Sequence, residues 1–254
     1  MKRTAVLAAA ACLWVCALVA LALYPAPARA GMFSFTTPTG AVTGGGPVNA
    51  EADLTTTDGS ILVTLRNLQA NPKDVAQLLS DFSFTVDAGG SLTGSSQTGA
   101  SSQELTVSGN GTFNIGSDLT TVAAVGWVYS SAATDGALDV LTGPGHAGPA
   151  HLIIGPPGGG GTYSAANGSI AGNGPHNPFL NQSASFTLTA PNVSSDTTIT
   201  GVTFSFGTVD MANEIPGVPV AGVPEPGSIV LLATATGTLA GYFGWRRRKQ
   251  IQAS

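Results

Sequence analysis

The chain has 254 residues, of which 43% are hydrophobic and only 9% charged, and its formal net charge is −5. The basic residues are segregated: Lys2, Arg3 and Arg29 lie at the start and Arg246, Arg247, Arg248 and Lys249 at the end, leaving only Arg66 and Lys73 among the acids between Glu51 and Glu214. Such a body excludes nucleic acid as a partner, because phosphates demand clustered Lys and Arg, while an acidic surface rich in Ser, Thr and Gly suits a soluble exported protein.

Lys2 and Arg3 open an apolar run over residues 5–23, which ends in the A-x-A site formed by Ala28, Arg29 and Ala30. Residues 1–30 are therefore predicted to be a cleavable signal peptide, with Gly31 as the mature N-terminus. Both cysteines, Cys12 and Cys16, lie inside that signal. The mature chain is then expected to have no thiol, disulfide or cysteine metal site, and its stability must come from an ordinary core.

The body begins with an apolar/polar alternation over 32–36, as in a half-buried strand. Residues 48–57 and 60–66 alternate on either side of Asp58 and Gly59, which predicts a hairpin with a type I′ turn. Asn71 suits an N-cap and Pro72 the first helical position, with Val75, Leu78 and Leu79 on one face, so a two-turn helix is expected there. Phe82, Phe84 and Val86 point one way along the next strand, and the Gly/Ser stretch 89–102 reads as a loop or poorly buried hairpin. Short strands follow at 104–107, 112–115, 125–129 around Trp127, 151–154, 183–190 and 199–206, with an irregular Gly/Pro-rich stretch at 143–174. Many short alternating strands separated by turn residues predict an all-β fold, an antiparallel β-sandwich with one short helix over residues 31–210. No repeat of fixed period points to a solenoid or propeller. Residues 211–223, with Pro216, Gly217 and Pro219, read as an extended linker.

Chemistry-bearing residues are sparse. His146, His151 and His176, with Asp135 and Asp139, raise a metal site, but Gly148 and Pro149 keep His146 and His151 off a common helical face. The Gly-rich run 155–162 lacks the lysine a phosphate loop needs, and no G-x-S-x-G nucleophile elbow is present. Glu51 and Asp53 could pair for glycoside hydrolysis, yet two residues apart on a strand they read as a solvated face. The expectation is no enzyme, no metal and no cofactor, with calcium only a compositional suggestion from the acids and carbonyl-rich loops. A competing reading is an extracellular polysaccharide-binding module in which Trp127, Tyr129 and Tyr163 form stacking platforms; burial of those rings would remove it. Asn110, Asn167, Asn181 and Asn192 each open an N-x-S/T sequon.

The C-terminal thirty residues carry the sharpest signal. Pro224, Glu225 and Pro226 precede an uncharged run, 229–245, that is long enough to be a single transmembrane helix, and Arg246, Arg247, Arg248 and Lys249 follow as a stop-transfer cluster on the cytoplasmic side. Gly237 and Gly241 offer a small-residue face for helix packing. In motif order and spacing, residues 224–254 resemble the PEP-CTERM sorting signal of Gram-negative bacteria. The resemblance implies recognition and processing near Pro224–Glu225–Pro226 by exosortase, a membrane cysteine transpeptidase-like protease. It further implies export across the inner membrane, transient anchoring there and a final place in the cell envelope or outside, alongside exopolysaccharide. The body also resembles uncharacterised PEP-CTERM family members across residues 151–157 and 173–179, which implies no activity.

Overall fold

Period-two alternation becomes strand throughout the body. The computed structural model describes residues 30–210 and 212–220. The expected signal peptide up to residue 29, the Pro-Glu-Pro motif, the transmembrane helix and the basic cluster lie outside the described residues. Strands β1 (Gly31–Thr36), β2 (Val42–Thr43), β3 (Gly46–Pro47), β4 (Ala50–Thr57) and β5 (Ser60–Asn67) precede a 3-10 turn at Val75–Gln77. Next come β6 (Leu79–Val86), β7 (Ser96–Val107), β8 (Phe113–Leu119) and helix α1 (Val122–Val125). The remaining strands are β9 (Val128–Ala132), β10 (Asp135–Asp139), β11 (Ile153–Ile154), β12 (Phe179–Thr189), β13 (Ile199–Phe206), β14 (Ile215–Pro216) and β15 (Val218–Pro219). Among the described residues the fold is all-β with one short α-helix.

The β4–β5 hairpin shows how the pattern sets the core. Ala50, Ala52 and Leu54 face Asn67, Leu65 and Val63 across the ladder and are buried with them. Burying a Leu, Ile or Val here contributes about 1.5–3 kcal/mol relative to exposure. The turn differs from expectation. Of its two central residues only Gly59 has a positive φ (79°), so it is not type I′. Its tip is held by a distant loop instead: Gly59 N donates to Val193 O, Ala190 N to Gly59 O, and Ser195 N to Asp58 Oδ1.

Thirteen strands form one hydrogen-bonded sheet, in the order β14-β13-β6-β11-β12-β5-β4-β1-β15, with β10 and β9 branching from β6 and β7 and β8 from β12. The expectation was an antiparallel sandwich; here β11 bridges β6 and β12, and its pairing with β12 is parallel. All the other ladders are antiparallel. A single residue, Gly217, separates β14 from β15, so the two ends of the strand order meet in one segment. That segment pairs with β13 through Thr203↔Pro216 and Phe204↔Ile215, and with β1 through Phe35↔Pro219 and Thr36↔Val218. The compact unit therefore runs to Pro219, and residues 215–219 are part of the body's sheet rather than a linker.

Three local expectations are corrected. The two-turn helix from Asn71 is only the 3-10 turn, and its N-cap is Asp74, which accepts from Ala76 N while Gln77 Oε1 accepts from Asp74 N. Leu79 already pairs with Phe206 and Ile153, so sheet pairing ends the helix after one turn. Asn71 sits at φ 50°, its side chain bonded to Ser164 and Ala165. The strand expected at 125–129 begins later, because Thr121 caps Ala124 N and Gly126 at φ 69° closes α1. The Gly/Ser loop at 89–102 contributes instead to β7, the longest strand, which pairs with β12.

Candidate functional site

Four of the body's carboxylates, Asp81, Asp139, Asp210 and Glu214, line one cleft. Asp81 on β6 and Asp139 on β10 are direct cross-strand partners, and Asp210 comes in from beyond β13. One oxygen from each lies within 4.8 Å of the others. The cleft, of about 230 Å³, is also lined by Ser83, Ser130 and Ser205. Asp139 accepts from Leu141 N at 2.6 Å and from Thr142 N at 3.2 Å, and the Thr142 hydroxyl lies 3.1 Å from both Asp139 Oδ2 and Asp210 Oδ2. Burial pushes the Asp139 carboxyl up, but its hydrogen bonds with Asp81, Leu141 and Thr142 outweigh that and hold it below the usual aspartate range. The trio offers oxygen ligands of the kind that Ca²⁺ takes.

The three histidines are dispersed. His146 Nε2 lies 3.3 Å from Asp139 Oδ2, and its Nδ1 is buried with no hydrogen-bond partner. Among the described residues, no hydroxyl or thiol is hydrogen-bonded to the His146 ring. His151, held at φ 59°, sits 3.5 Å from Glu104 and bonds Val125 O through Nδ1. His176 Nδ1 bonds Ser169 O at 2.6 Å. Asp135 accepts from Thr85 at the opposite end of β10 from Asp139. Among the described residues, the convergent ligand group contains no histidine.

Glu51 and Asp53 share one cation. Arg66, opposite Glu51 on β5, contacts both carboxylates, and Ser34 donates to Asp53 as well. Burial raises the Asp53 carboxyl, while the hydrogen bonds from Ser34 and Arg66 and the Arg66 charge bring it below its ordinary value. Both acids are thus tied to one guanidinium on a partly exposed strand face, in keeping with the solvated-face reading.

Burial removes two of the three expected stacking platforms. Trp127 and Tyr163 are fully buried, with Trp127 Nε1 donating to His151 O and Tyr163 Oη to Gly155 O. Trp127 packs on Phe186 with ring centroids 5.5 Å apart. Tyr129 is half-buried, stacked on Phe84, and its hydroxyl lies 2.9 Å from Ser95 Oγ. A wide groove of about 550 Å³ does lie over β7, β8 and β12, but Ser101, Ser102, Gln103, Asp118, Asn181 and Ser183 line it and no aromatic does. The sequons have local structural roles: Asn110 Oδ1 accepts from Thr112 N, and Asn167 donates to Asp74.

The element that leads out of the body is the β14–β15 segment, an apparent linker whose sheet pairing only the tertiary structure reveals. Gly217 N donates to Val202 O at 2.9 Å. A Cβ at Gly217 would meet Val202 Cγ2 at 2.3 Å and Phe204 Cε2 at 3.0 Å, so only glycine fits this seat. The acidic cleft lies at the root of the same segment, through Asp210 and Glu214. Three residues beyond Pro219, residues 222–249 match the PEP-CTERM protein-sorting motif, a range that contains Pro224, Glu225, Pro226 and the cluster Arg246–Arg247–Arg248–Lys249. No curated protein matches the chain.

Proposed function

Because the chain carries a PEP-CTERM protein-sorting motif at residues 222–249, we propose that it is an exported, non-enzymatic envelope or extracellular matrix protein, sorted and processed by exosortase. The motif is the observation that carries this reading. Residues 1–30 send the chain across the inner membrane and are removed, with Ala28 and Ala30 as the cleavage signature. The apolar run 229–245 anchors it transiently, and Arg246 to Lys249 remain cytoplasmic. Two prolines around Glu225 keep the backbone extended and out of the helix that follows, which gives a membrane protease an unpaired strand to grip.

The first structural support is the coincidence of boundaries. Strand β1 begins at Gly31, the residue after the signal site, and the last sheet residue, Pro219, precedes the motif by three positions. Processing at both ends leaves a complete sheet. The second support is that several of the body's acids are held by its own groups: Arg66 pairs with both Glu51 and Asp53, and Asp139 accepts from Leu141 N and Thr142 N. A structural or interactive role in the matrix follows from a stable acidic body.

Replacing Pro224, Glu225 and Pro226 together by alanine tests the reading in cells that process the wild-type protein. The full-length, membrane-bound form is expected to accumulate. Processing at the wild-type rate would remove the exosortase assignment.

A further inference from the structure

The C-terminal segment of the sheet is both its closing piece and its weakest one. Each of β14 and β15 is two residues long, and Pro216 and Pro219 have no N–H to give to the ladder. Pro216, Val218 and Pro219 are exposed. The seat is a single position, Gly217, against Val202, Phe204 and Phe35. Short pairing, few hydrogen bonds and exposure place this segment at the low end of local opening free energies.

Its position gives that opening a consequence. With β15 on β1, Pro219 is fixed to the body, and the five residues to Pro224 reach about 18 Å at full extension. A membrane enzyme gripping the chain on both sides of Pro224–Glu225–Pro226 then has to work against the folded sheet. With residues 215–219 released, the chain is still tied at Asn213, whose side chain donates to Phe206 O, eleven residues before Pro224, and the reach grows to about 40 Å.

We propose that residues 215–219 form a releasable strap whose seating on β1 and β13 restrains C-terminal processing, so that the motif is presented when the strap opens and the sheet closes again on the processed product. This inference rests on the reading that residues 222–249 are a processed sorting signal. It adds a conformational gate, set by the body, to an address carried by the tail.

Thr36 and Val218 are ladder partners, at the Cα separation of directly opposed antiparallel residues, which a disulfide can bridge. The body has no other cysteine, since Cys12 and Cys16 are in the signal. In the full chain, expressed in cells that process it, the T36C/V218C pair is expected to slow processing at least fivefold in the oxidised fraction, scored by gel shift after thiol alkylation. Either single-cysteine variant and the reduced pair should run at the wild-type rate. Gly217→Val, which unseats the strap, should raise the rate and expose residues 207–219 to limited proteolysis. Processing of the oxidised pair at the wild-type rate overturns the gate, whatever Gly217→Val does to folding. The triple alanine variant separates the two ideas: if it is processed normally, the sorting reading itself fails, and the gate with it.

Discussion

Arg66 shows how little charge the body spends on structure and where it spends it. It is one of two cations in the body, and it holds two acids and, through Asp53, the β1 residue Ser34. More than a third of its side chain is exposed, so solvent screening limits the network to about 0–1 kcal/mol. The Asp53 carboxyl is depressed in the folded state, so its stabilising contribution is present above the ordinary aspartate range and is lost as pH falls through the folded value. Arg66→Met should therefore cost at most about 1 kcal/mol at neutral pH. It should also flatten the fall in stability on acidification below the ordinary aspartate range, as read by urea unfolding across a pH series. An unchanged acid limb would show that Arg66 is not what holds Asp53 ionised. Glu51 and Asp53 were legible as a solvated face from their spacing alone, whereas their shared partner Arg66 was not. The Asp81–Asp139–Asp210 gathering was not, because residues far apart in sequence meet there only through the β6–β10 register and the chain beyond β13.

Among the elements, those with clean alternation were legible and those without it were not. Strands β4, β5, β12 and β13 each bury every second residue over most of their length. Strand β7 has the sequence SQTGASSQELTV, whose Gly and Ser residues read as loop, and it becomes strand because β12 supplies a long ladder on which small side chains fit. Helix α1 carried its own local signals, Thr121 as cap and Gly126 as stop, but the apolar run through Trp127 masked them. Gly126 makes a sharp test of that element. It holds φ 69°, and a Cβ there would meet Ala147 Cβ at 2.3 Å. The left-handed conformation alone costs an L-residue about 1–2 kcal/mol. Gly126→Ala should therefore destabilise the body by more than that, measured as a lower urea midpoint with unchanged slope. A loss under about 0.5 kcal/mol would mean that the backbone at 126 leaves the left-handed region and the 143–148 loop gives way, both at little cost.

At the scale of the whole molecule, the decisive feature is that the sheet closes through its last residues. Pro216, Gly217 and Pro219 suggested a linker because proline and glycine weaken strands. Their strand role depends on partners at opposite ends of the chain, β1 and β13, which no local pattern announces. Removing the segment should be felt in the core. Phe35, Val202 and Phe204 are buried, and all three lie against Gly217. A body ending at residue 210 exposes part of that face and loses the ladder bonds on both sides, whereas one ending at residue 220 keeps them. With partial exposure of three large side chains, the difference is about 2–3 kcal/mol. For a body of this size that corresponds to roughly 5–10 °C in thermal midpoint. Comparing the melting of fragments 31–210 and 31–220 measures it directly. Equal midpoints would mean that the strap contributes nothing to the closed sheet, and a strap without seating energy could not restrain the motif that follows it. A difference within the expected range would leave the strap strong enough to stay seated on average and weak enough to open in the native state, which are the two conditions a gate on processing must meet together.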